Sequence, residues 1–320
     1  MKTSSMTAGL LLAILAALSF GTSGALVKPL LAAGWSPAAA VAGRVLIAGV
    51  VLTPFALLSL RGRWATLWRG RWRILGMGVF GVASTQLAYF AAIQRIPVST
   101  ALLVEYLAPL LLVGFVWATT RRMPRPIVLV GSALAVGGLV LVIGPGALQV
   151  VDPLGLVLAF AAAIGAAVYF VIAARPTEGL PTVALAASGL LIGGILLSLL
   201  GLVGVLPFAA EFADLPMLGA MAPWWVPLLA VGVIGGAIAY ASGIAAAGLL
   251  GSRLASFLGL LEVVFASMFA WLLIGEQLTL LQLAGGLLIL GGIAAVRSER
   301  DASPEPTVAE PAIPAPAAAP

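Results

Sequence analysis

The chain has 320 residues, of which 62% are hydrophobic and only 8% are charged, and its net charge is +5. A soluble domain of this length carries about 25% charged residues, so the composition excludes an ordinary water-soluble protein. There is no cysteine and no histidine, which excludes disulfides, Cys/His metal sites and a Ser–His catalytic pair. We therefore expect no metal, no cofactor and no enzyme activity.

Ten apolar stretches are long enough to cross a hydrocarbon core of ~30 Å as helices. They do not alternate with the period of two that is typical of membrane β-strands. Lys2 precedes the first stretch, as in a secretory signal, but that stretch exceeds the ~7–15 residues of a signal core, so we interpret it as a helix. The predicted spans are residues 8–29, 38–60, 73–94, 98–119, 125–145, 153–174, 182–206, 224–247, 254–274 and 278–296.

The basic residues predict the orientation of these spans, because cytoplasmic loops are enriched in Lys and Arg. With both termini in the cytoplasm, all of the sixteen basic residues except Lys28, Arg44 and Arg95 fall on the inner side. The outer connections carry acidic residues instead. The inner set is Lys2, Arg61, Arg63, Arg69, Arg71, Arg73, Arg121, Arg122, Arg125, Arg175, Arg253, Arg297 and Arg300, and the outer set is Asp152, Glu211, Asp214 and Glu276.

The two halves of the chain resemble each other. Residues 117–142 align without a gap with residues 271–296, with Trp117 over Trp271 and two paired glycines in register. Five helices in each half mean that the second half enters from the opposite side, which predicts inverted repeats at residues 1–148 and 149–297, the arrangement of many secondary transporters. Residues 298–320 are rich in Pro, Ala and acidic residues and predict a disordered cytoplasmic tail.

Charged and polar residues inside the spans indicate a chamber, because a charge at a helix centre costs ~2.5–3.5 kcal/mol unless it faces protein or water. The tight connection at 95–97 makes the third and fourth spans antiparallel neighbours, which brings their polar residues to one depth. The predicted substrate-binding residues are Thr22, Gln86, Tyr89, Glu105, Tyr106, Tyr169, Tyr240, Ser242 and Ser256.

Two further charges have alternative interpretations. Arg44 binds a substrate carboxylate, or it pairs with Glu105 and braces the helices. Glu262 couples transport to protons or cations, or it is a protonated acid that only hydrogen-bonds. Pro109 interrupts the fourth helix and frees a carbonyl near Glu105, which makes it a hinge or a static kink.

The stretches "FGTSGALVKPLLAAGWSPAAAVAGR", "VEYLAPL" and "LLEVVFASMFAWLLIGEQLTLLQLAGGLLILGG" resemble the ten-helix EamA-type exporters of the drug/metabolite transporter superfamily. Lys28, Arg44 and the Glu105–Pro109 stretch resemble the branch that exports threonine and homoserine, and the YddG-type exporters of aromatic amino acids belong to the same group. Val263 stands where the family often has a proline, which puts a kink in the ninth helix in doubt.

This resemblance implies an all-α membrane protein whose two inverted halves surround a central cavity formed by spans 1, 3, 4, 6, 8 and 9. By the same resemblance Arg44, on the second span, braces Glu105. It implies export of amino acids or related small metabolites across the bacterial cytoplasmic membrane by alternating access. The membrane accounts for the positive charge without a nucleic-acid partner, and we expect a monomer or homodimer. Export of cationic drugs or other small organic metabolites is the alternative, and an intramembrane enzyme or a receptor is the non-transport alternative.

Overall fold

The computed structural model describes residues 2–121, 123–144, 152–175, 179–217, 219–275 and 279–301. The predictions for Arg122, for Glu276, for the repeat boundary at 148 and for the tail from residue 302 lie outside these residues. The last helix extends to Asp301, beyond residue 298, where the sequence predicted that the tail begins. The reason is that no proline interrupts the helix before Pro304.

Within the described residues, ten helical segments are long and apolar enough to cross a membrane, and each coincides with one of the ten predicted spans, which confirms their number. Their edges differ from the predicted ones by a few residues. The spans are Ser5–Ala32, Pro37–Ser59, Arg71–Ile93, Thr100–Thr120, Pro126–Ile143, Pro153–Ala174, Thr182–Leu202, Trp225–Leu250, Ser252–Leu273 and Leu280–Ser298.

Six spans are uninterrupted helices. Several begin with proline at the first helical turn, where its missing N–H costs no hydrogen bond, and the hydroxyl of Ser36 and the carboxylate of Asp152 cap two of these helices. The uninterrupted helices are Lys2–Ala32, Pro37–Ser59, Pro126–Ile143, Pro153–Ala174, Thr182–Leu202 and Leu280–Asp301.

The other four spans are irregular. They are the third and fourth spans of the first five and the third and fourth spans of the last five. The third and eighth spans contain wide π-helical turns, at Met77–Ser84 and Val233–Ile238. The fourth and ninth spans are each divided into two helices. The pieces are Arg71–Gly76 and Thr85–Ile93, Val98–Glu105 and Ala108–Thr120, Trp225–Gly232 and Ala239–Leu250, and Ser252–Gly259 and Leu261–Phe269, the last followed by a π-helical turn at Ala270–Ile274.

Glycines allow two pairs of helices to approach to backbone contact. The fifth and tenth spans share an extensive contact, and a β-carbon on Gly138 would lie 2.5 Å from the carbonyl oxygen of Gly285. One on Gly292 would lie 2.5 Å from the carbonyl oxygen of Gly131. Because the later glycine of one helix meets the earlier glycine of the other, the two helices are antiparallel.

The second and seventh spans form another extensive contact. Gly49 packs against Leu191, and Gly194 packs against Leu46, with distances of 2.8 and 2.7 Å from the position of a β-carbon to the leucine side chain. This pair of helices is also antiparallel, by the same reasoning.

The connection between the seventh and eighth spans departs from the all-helical prediction. Leu215–Met217 and Ala220–Ala222 form a two-stranded antiparallel hairpin. Trp35 anchors this connection to the turn between the first two spans, because its indole N–H donates to the carbonyl of Glu211 at 2.6 Å and its ring stacks on Trp224. Trp224 therefore packs against Trp35, whereas Trp225 is 48% exposed.

Candidate functional site

A cavity of about 400 Å³ lies inside the bundle and reaches from the turn between the first and second spans, at Leu31 and Pro37, to the middle of the helices. All of the predicted site residues except Thr22 and Ser242 line it. These lining residues are Arg44, Gln86, Tyr89, Glu105, Tyr106, Pro109, Tyr169, Tyr240, Ser256 and Glu262. The fifth, seventh and tenth spans contribute no lining residue among those that the structure describes.

The break in the fourth span places Glu105 and Tyr106 beside the cavity. The first helix ends at Glu105, and Leu107 donates its N–H to the carbonyl of Val104, only three residues back. Pro109 sits in the first turn of the next helix. Because proline has no N–H, the carbonyl of Glu105 four residues earlier receives no helical hydrogen bond from it.

The ninth span has a similar break just before Glu262. Leu260 donates its N–H to the carbonyl of Phe257 at 3.1 Å, and Val263 donates to that of Leu260 at 3.2 Å, both three residues back. The helix is interrupted here although position 263 is valine. Gly259, a poor helix former, precedes the break and lines the cavity, so the doubt raised by the missing proline is removed.

The wide turn in the third span precedes the residues that it contributes to the cavity. Thr85, 5% exposed, donates its hydroxyl to the carbonyl of Phe80 five residues earlier, at 2.9 Å. That bond joins the end of the wide turn to the helix that follows it. Gln86 and Tyr89 follow directly and line the cavity.

Three charged groups face the same space. Arg44 lies within electrostatic range of both Glu105 and Glu262, and the hydroxyl of Tyr106 lies beside the Glu262 carboxyl. No salt bridge joins Arg44 to either carboxylate in the described part of the chain. Its Nε is buried and has no hydrogen-bond partner among the described residues.

Aromatic rings close the inner part of the cavity. Phe20, Tyr240, Tyr169 and Phe170 form a continuous series of edge-to-face contacts, with ring centroids 5.0–5.8 Å apart. The Tyr169 hydroxyl is buried without a partner among the described residues. It lies 2.8 Å from the position that a side chain at Gly243 would occupy, so the glycine provides its space.

Three of the predicted hydroxyl groups bond to their own helices. Thr22 donates to the carbonyl of Ser19 at 2.7 Å, and Ser242 donates to that of Ile238 at 2.6 Å. Ser256 lines the cavity, although its hydroxyl donates to the carbonyl of Arg253 at 2.7 Å. A serine or threonine in a helix can satisfy itself in this way, which the sequence does not reveal.

Sequence reasoning missed the phenylalanines of the lining, Phe20, Phe90 and Phe170. Each is next to, or two residues from, a polar residue that was identified: Phe20 is near Thr22, Phe90 follows Tyr89, and Phe170 follows Tyr169. That adjacency was the available signal, but a phenylalanine in a membrane span faces lipid as readily as a cavity.

These features define a multi-pass membrane protein whose interrupted helices surround a charged, aromatic-lined cavity. The sequence pattern of the EamA-like transporter family matches residues 7–144 and, a second time, residues 153–298. The chain therefore belongs to the EamA-like transporter family, within the drug/metabolite transporter superfamily.

Two individual proteins are similar to the chain. The protein of Salmonella typhimurium (strain LT2) named "Uncharacterized inner membrane transporter YicL" is 27% identical over 263 residues, which cover 78% of this chain and 81% of that protein. A crystal structure of a protein with 23% sequence identity superposes with a TM-score of 0.71 and covers 91% of this chain and 98% of its own. At that identity the likeness concerns the fold alone.

Proposed function

We propose that the protein exports amino acids or closely related small metabolites across the bacterial cytoplasmic membrane. The observation that carries this proposal is the cavity inside the bundle that is lined by Arg44, Glu105 and Glu262. Its volume of about 400 Å³ is within the range of small-molecule sites, ~300–1,000 Å³. The inner-membrane location rests on the ten apolar spans and on the Salmonella relative, whose name places it there.

Charge complementarity favours a zwitterion. An α-ammonium group has two carboxylates to contact, and an α-carboxylate has the guanidinium of Arg44, whose Nε has no partner among the described residues. A buried donor without a partner costs about 1–3 kcal/mol, so a ligand that accepts its hydrogen bond is stabilised by that amount. Gln86 and the tyrosines add hydrogen-bonding groups without net charge, which suits side chains of mixed polarity.

Export of cationic drugs is the second candidate, and one observation favours it. The cavity holds two carboxylates and one guanidinium, so it carries a net negative charge when both acids are ionised. Aromatic faces such as Tyr240 and Phe20 also attract cations. A substrate with no carboxylate, however, leaves Arg44 unpaired, and we therefore prefer the zwitterion.

Alternating access requires two halves that rock about the cavity, and we propose that residues 1–148 and 149–297 are these halves, inserted in opposite directions. Support comes from exchangeable contacts. When the two halves are aligned with an offset of 154 residues, Gly131 corresponds to Gly285 and Gly138 corresponds to Gly292. The contact between Gly131 and Gly292 then corresponds to the contact between Gly285 and Gly138, which is also present. A two-fold axis in the membrane plane that relates the two halves would make equivalent helices pack antiparallel with reciprocal contacts of this kind.

The second and seventh spans repeat the pattern. With an offset of 145 residues, Leu46 corresponds to Leu191 and Gly49 corresponds to Gly194. The contact between Gly49 and Leu191 then corresponds to the contact between Gly194 and Leu46, which is also present. The family pattern also matches once in each proposed half. The distribution of Arg and Lys supports cytoplasmic termini, and with that orientation the cavity opens outward, with the aromatic contacts of Tyr169 and Tyr240 on its inner side.

The test is a flux panel in proteoliposomes, each loaded with one labelled amino acid, with and without a pH gradient. We expect Glu105→Gln, Gln86→Ala and Glu262→Gln to lower the flux of a transported amino acid. Loss of a hydrogen bond to a charged group costs about 1.5–3 kcal/mol, which corresponds to roughly ten- to hundredfold weaker binding for the glutamate variants.

Glu211→Gln is the matched control, since this carboxylate lies on an outer connection and does not line the cavity. Normal flux in all three cavity variants would refute the site. Flux of lipophilic cations, with none of any amino acid, would select the second candidate. If Glu262→Gln retains flux but loses the response to the pH gradient, Glu262 is a coupling group; if it leaves that response unchanged, its role is structural.

A further inference from the structure

The segment between the second and third spans, residues 61–73, reads "RGRWATLWRGRWR". Trp64 immediately precedes the helix Ala65–Arg69, Trp68 lies in this helix, and Trp72 lies at the start of the third span; they are 53%, 72% and 71% exposed. The guanidinium of Arg71 lies 4.7 Å and 5.5 Å from the ring centres of Trp68 and Trp72. Exposed tryptophans at the end of a membrane span are typical of the membrane–water interface.

A second cavity, of about 350 Å³, lies under this segment. It is separate from the central cavity and shares no lining residue with it. The end of the sixth span and the start of the seventh complete its walls. The lining residues are Thr66, Arg69, Gly70, Trp72, Arg73, Ile172, Arg175 and Leu180, so three guanidinium groups surround it and, among the described residues, no carboxylate does.

One of the three arginines has a structural role. Arg73 donates from Nε to the carbonyl of Ile172 at 3.1 Å and from Nη2 to that of Arg175 at 2.9 Å. These carbonyls belong to the last turn of the sixth span and beyond it, where the helix provides no partner for them. Arg73 therefore holds the third span against the end of the sixth and shapes the cavity.

Arg69 and Arg175 are not used in this way. No hydrogen bond or salt bridge joins either guanidinium to the described residues. Arg73 and Arg175 are also close enough for their like charges to repel. Such a cluster of positive charge lowers the energy of an anion placed in the cavity.

We propose that this cavity binds the phosphate group of an anionic ligand, held by Arg69 and Arg175 and positioned by Arg73. Guanidinium groups bind phosphate oxygens through paired hydrogen bonds. The phosphate belongs either to the headgroup of an anionic lipid or to a soluble phosphate. The exposed Trp68 and Trp72 favour the lipid, because they place the mouth of the cavity at the level of the headgroups, and basic pockets between spans are known to hold such headgroups.

Native mass spectrometry of the purified full chain tests this with phosphatidylglycerol, with phosphatidylcholine and with inorganic phosphate. We expect phosphatidylglycerol to be retained in preference to phosphatidylcholine. An arginine near the surface contributes about 1 kcal/mol to binding of an anionic lipid, so Arg69→Gln and Arg175→Gln should each weaken retention about fivefold. Arg63→Gln removes the same charge from the same segment outside the cavity and should weaken retention less than Arg69→Gln or Arg175→Gln.

Arg69→Lys and Arg175→Lys separate binding from folding, because they keep the charge. They should keep most of the retention, whatever the glutamine variants do to stability. Displacement of phosphatidylglycerol by excess inorganic phosphate would identify a site for soluble phosphate, and its persistence would identify the lipid; both results support the proposal. Equal retention of the two lipids by the wild-type protein, or wild-type retention in both glutamine variants, would overturn it.

Discussion

The contact between the fifth and tenth spans makes a sharp prediction, because each helix carries two adjacent glycines with opposite environments. A β-carbon on Gly138 or Gly292 would lie 2.5 Å from a carbonyl oxygen of the facing helix. A β-carbon on Gly137 or Gly291 would meet nothing within 4 Å. We expect Gly138→Ala and Gly292→Ala to destabilise the protein, and Gly137→Ala and Gly291→Ala to leave it unchanged or more stable.

The magnitude follows from the distances. A β-carbon contact below 3.0 Å is essentially never tolerated, so the two helices must separate by at least 0.5 Å to admit the methyl group. A gap of ~0.5–1 Å forfeits a quarter to a half of the dispersion energy along the contact, and overpacking of this kind costs about 1–3 kcal/mol. Replacing glycine by alanine inside a helix also gains about 1 kcal/mol, and this gain is common to both members of a pair.

The comparison within a pair therefore isolates the packing cost. Reversible unfolding in mixed micelles of increasing SDS content gives the free energy of unfolding of each variant, with tryptophan fluorescence as the signal. Gly138→Ala should be less stable than Gly137→Ala by about 1–3 kcal/mol, and Gly292→Ala less stable than Gly291→Ala by a similar amount. Equal stability within both pairs, or the opposite order, would show that the helices do not meet through these glycines.

Three further predictions concern single side chains. Tyr169→Phe removes a buried hydroxyl with no partner among the described residues, so the protein should melt at the same temperature or higher. Amino-acid flux should fall, because the hydroxyl is proposed to contact the substrate. A lower melting temperature would contradict the expected effect on stability. Thr85→Val removes the hydrogen bond from the Thr85 hydroxyl to the carbonyl of Phe80 and should cost about 0.5–1.5 kcal/mol of unfolding free energy. Thr119→Val, whose hydroxyl is exposed, is the control and should cost little. The hydrogen bond from the Leu154 N–H lowers the pKa of the Asp152 carboxyl, and the guanidinium of Arg95, 3.2 Å away, lowers it further. The ionised carboxylate therefore stabilises the folded protein at pH values above the usual aspartate pKa of about 3.9. This contribution to stability is lost as the pH falls through the lowered pKa. Melting temperatures over this acid range should fall less for Asp152→Asn than for the wild type or for Asp214→Asn, and parallel curves would contradict the pairing.

The spans could be predicted because the cost of exposing polar backbone to lipid forces about twenty consecutive apolar residues into each helix. The polar residues around the cavity could be found for a related reason. A carboxylate such as Glu105 or Glu262 in an apolar run must face protein or water, so its position alone indicates the interior. Ten span locations and most of the polar lining follow from these two costs.

The remaining features depend on local bonding that leaves no trace in hydropathy. Thr22 and Ser242 satisfy their hydroxyls on their own helices, and the sequence does not distinguish them from residues that face a cavity. The break at Leu260 occurs without a proline. The hairpin Leu215–Met217 with Ala220–Ala222 is three residues per strand, too short to produce a readable alternation.

The distribution of irregular helices relates the fold to the proposed transport. The third, fourth, eighth and ninth spans each contain a break or a wide turn, and all four line the cavity. The six uninterrupted spans divide into two groups: the first, second and sixth also line the cavity, whereas the fifth, seventh and tenth contribute no lining among the described residues. A helix with a break has fewer internal hydrogen bonds to lose when it bends, whereas glycine contacts between straight helices have no side chain that can rearrange. We therefore expect alternating access to change the shape of the third, fourth, eighth and ninth spans, while the contact between the fifth and tenth spans holds the two proposed halves together.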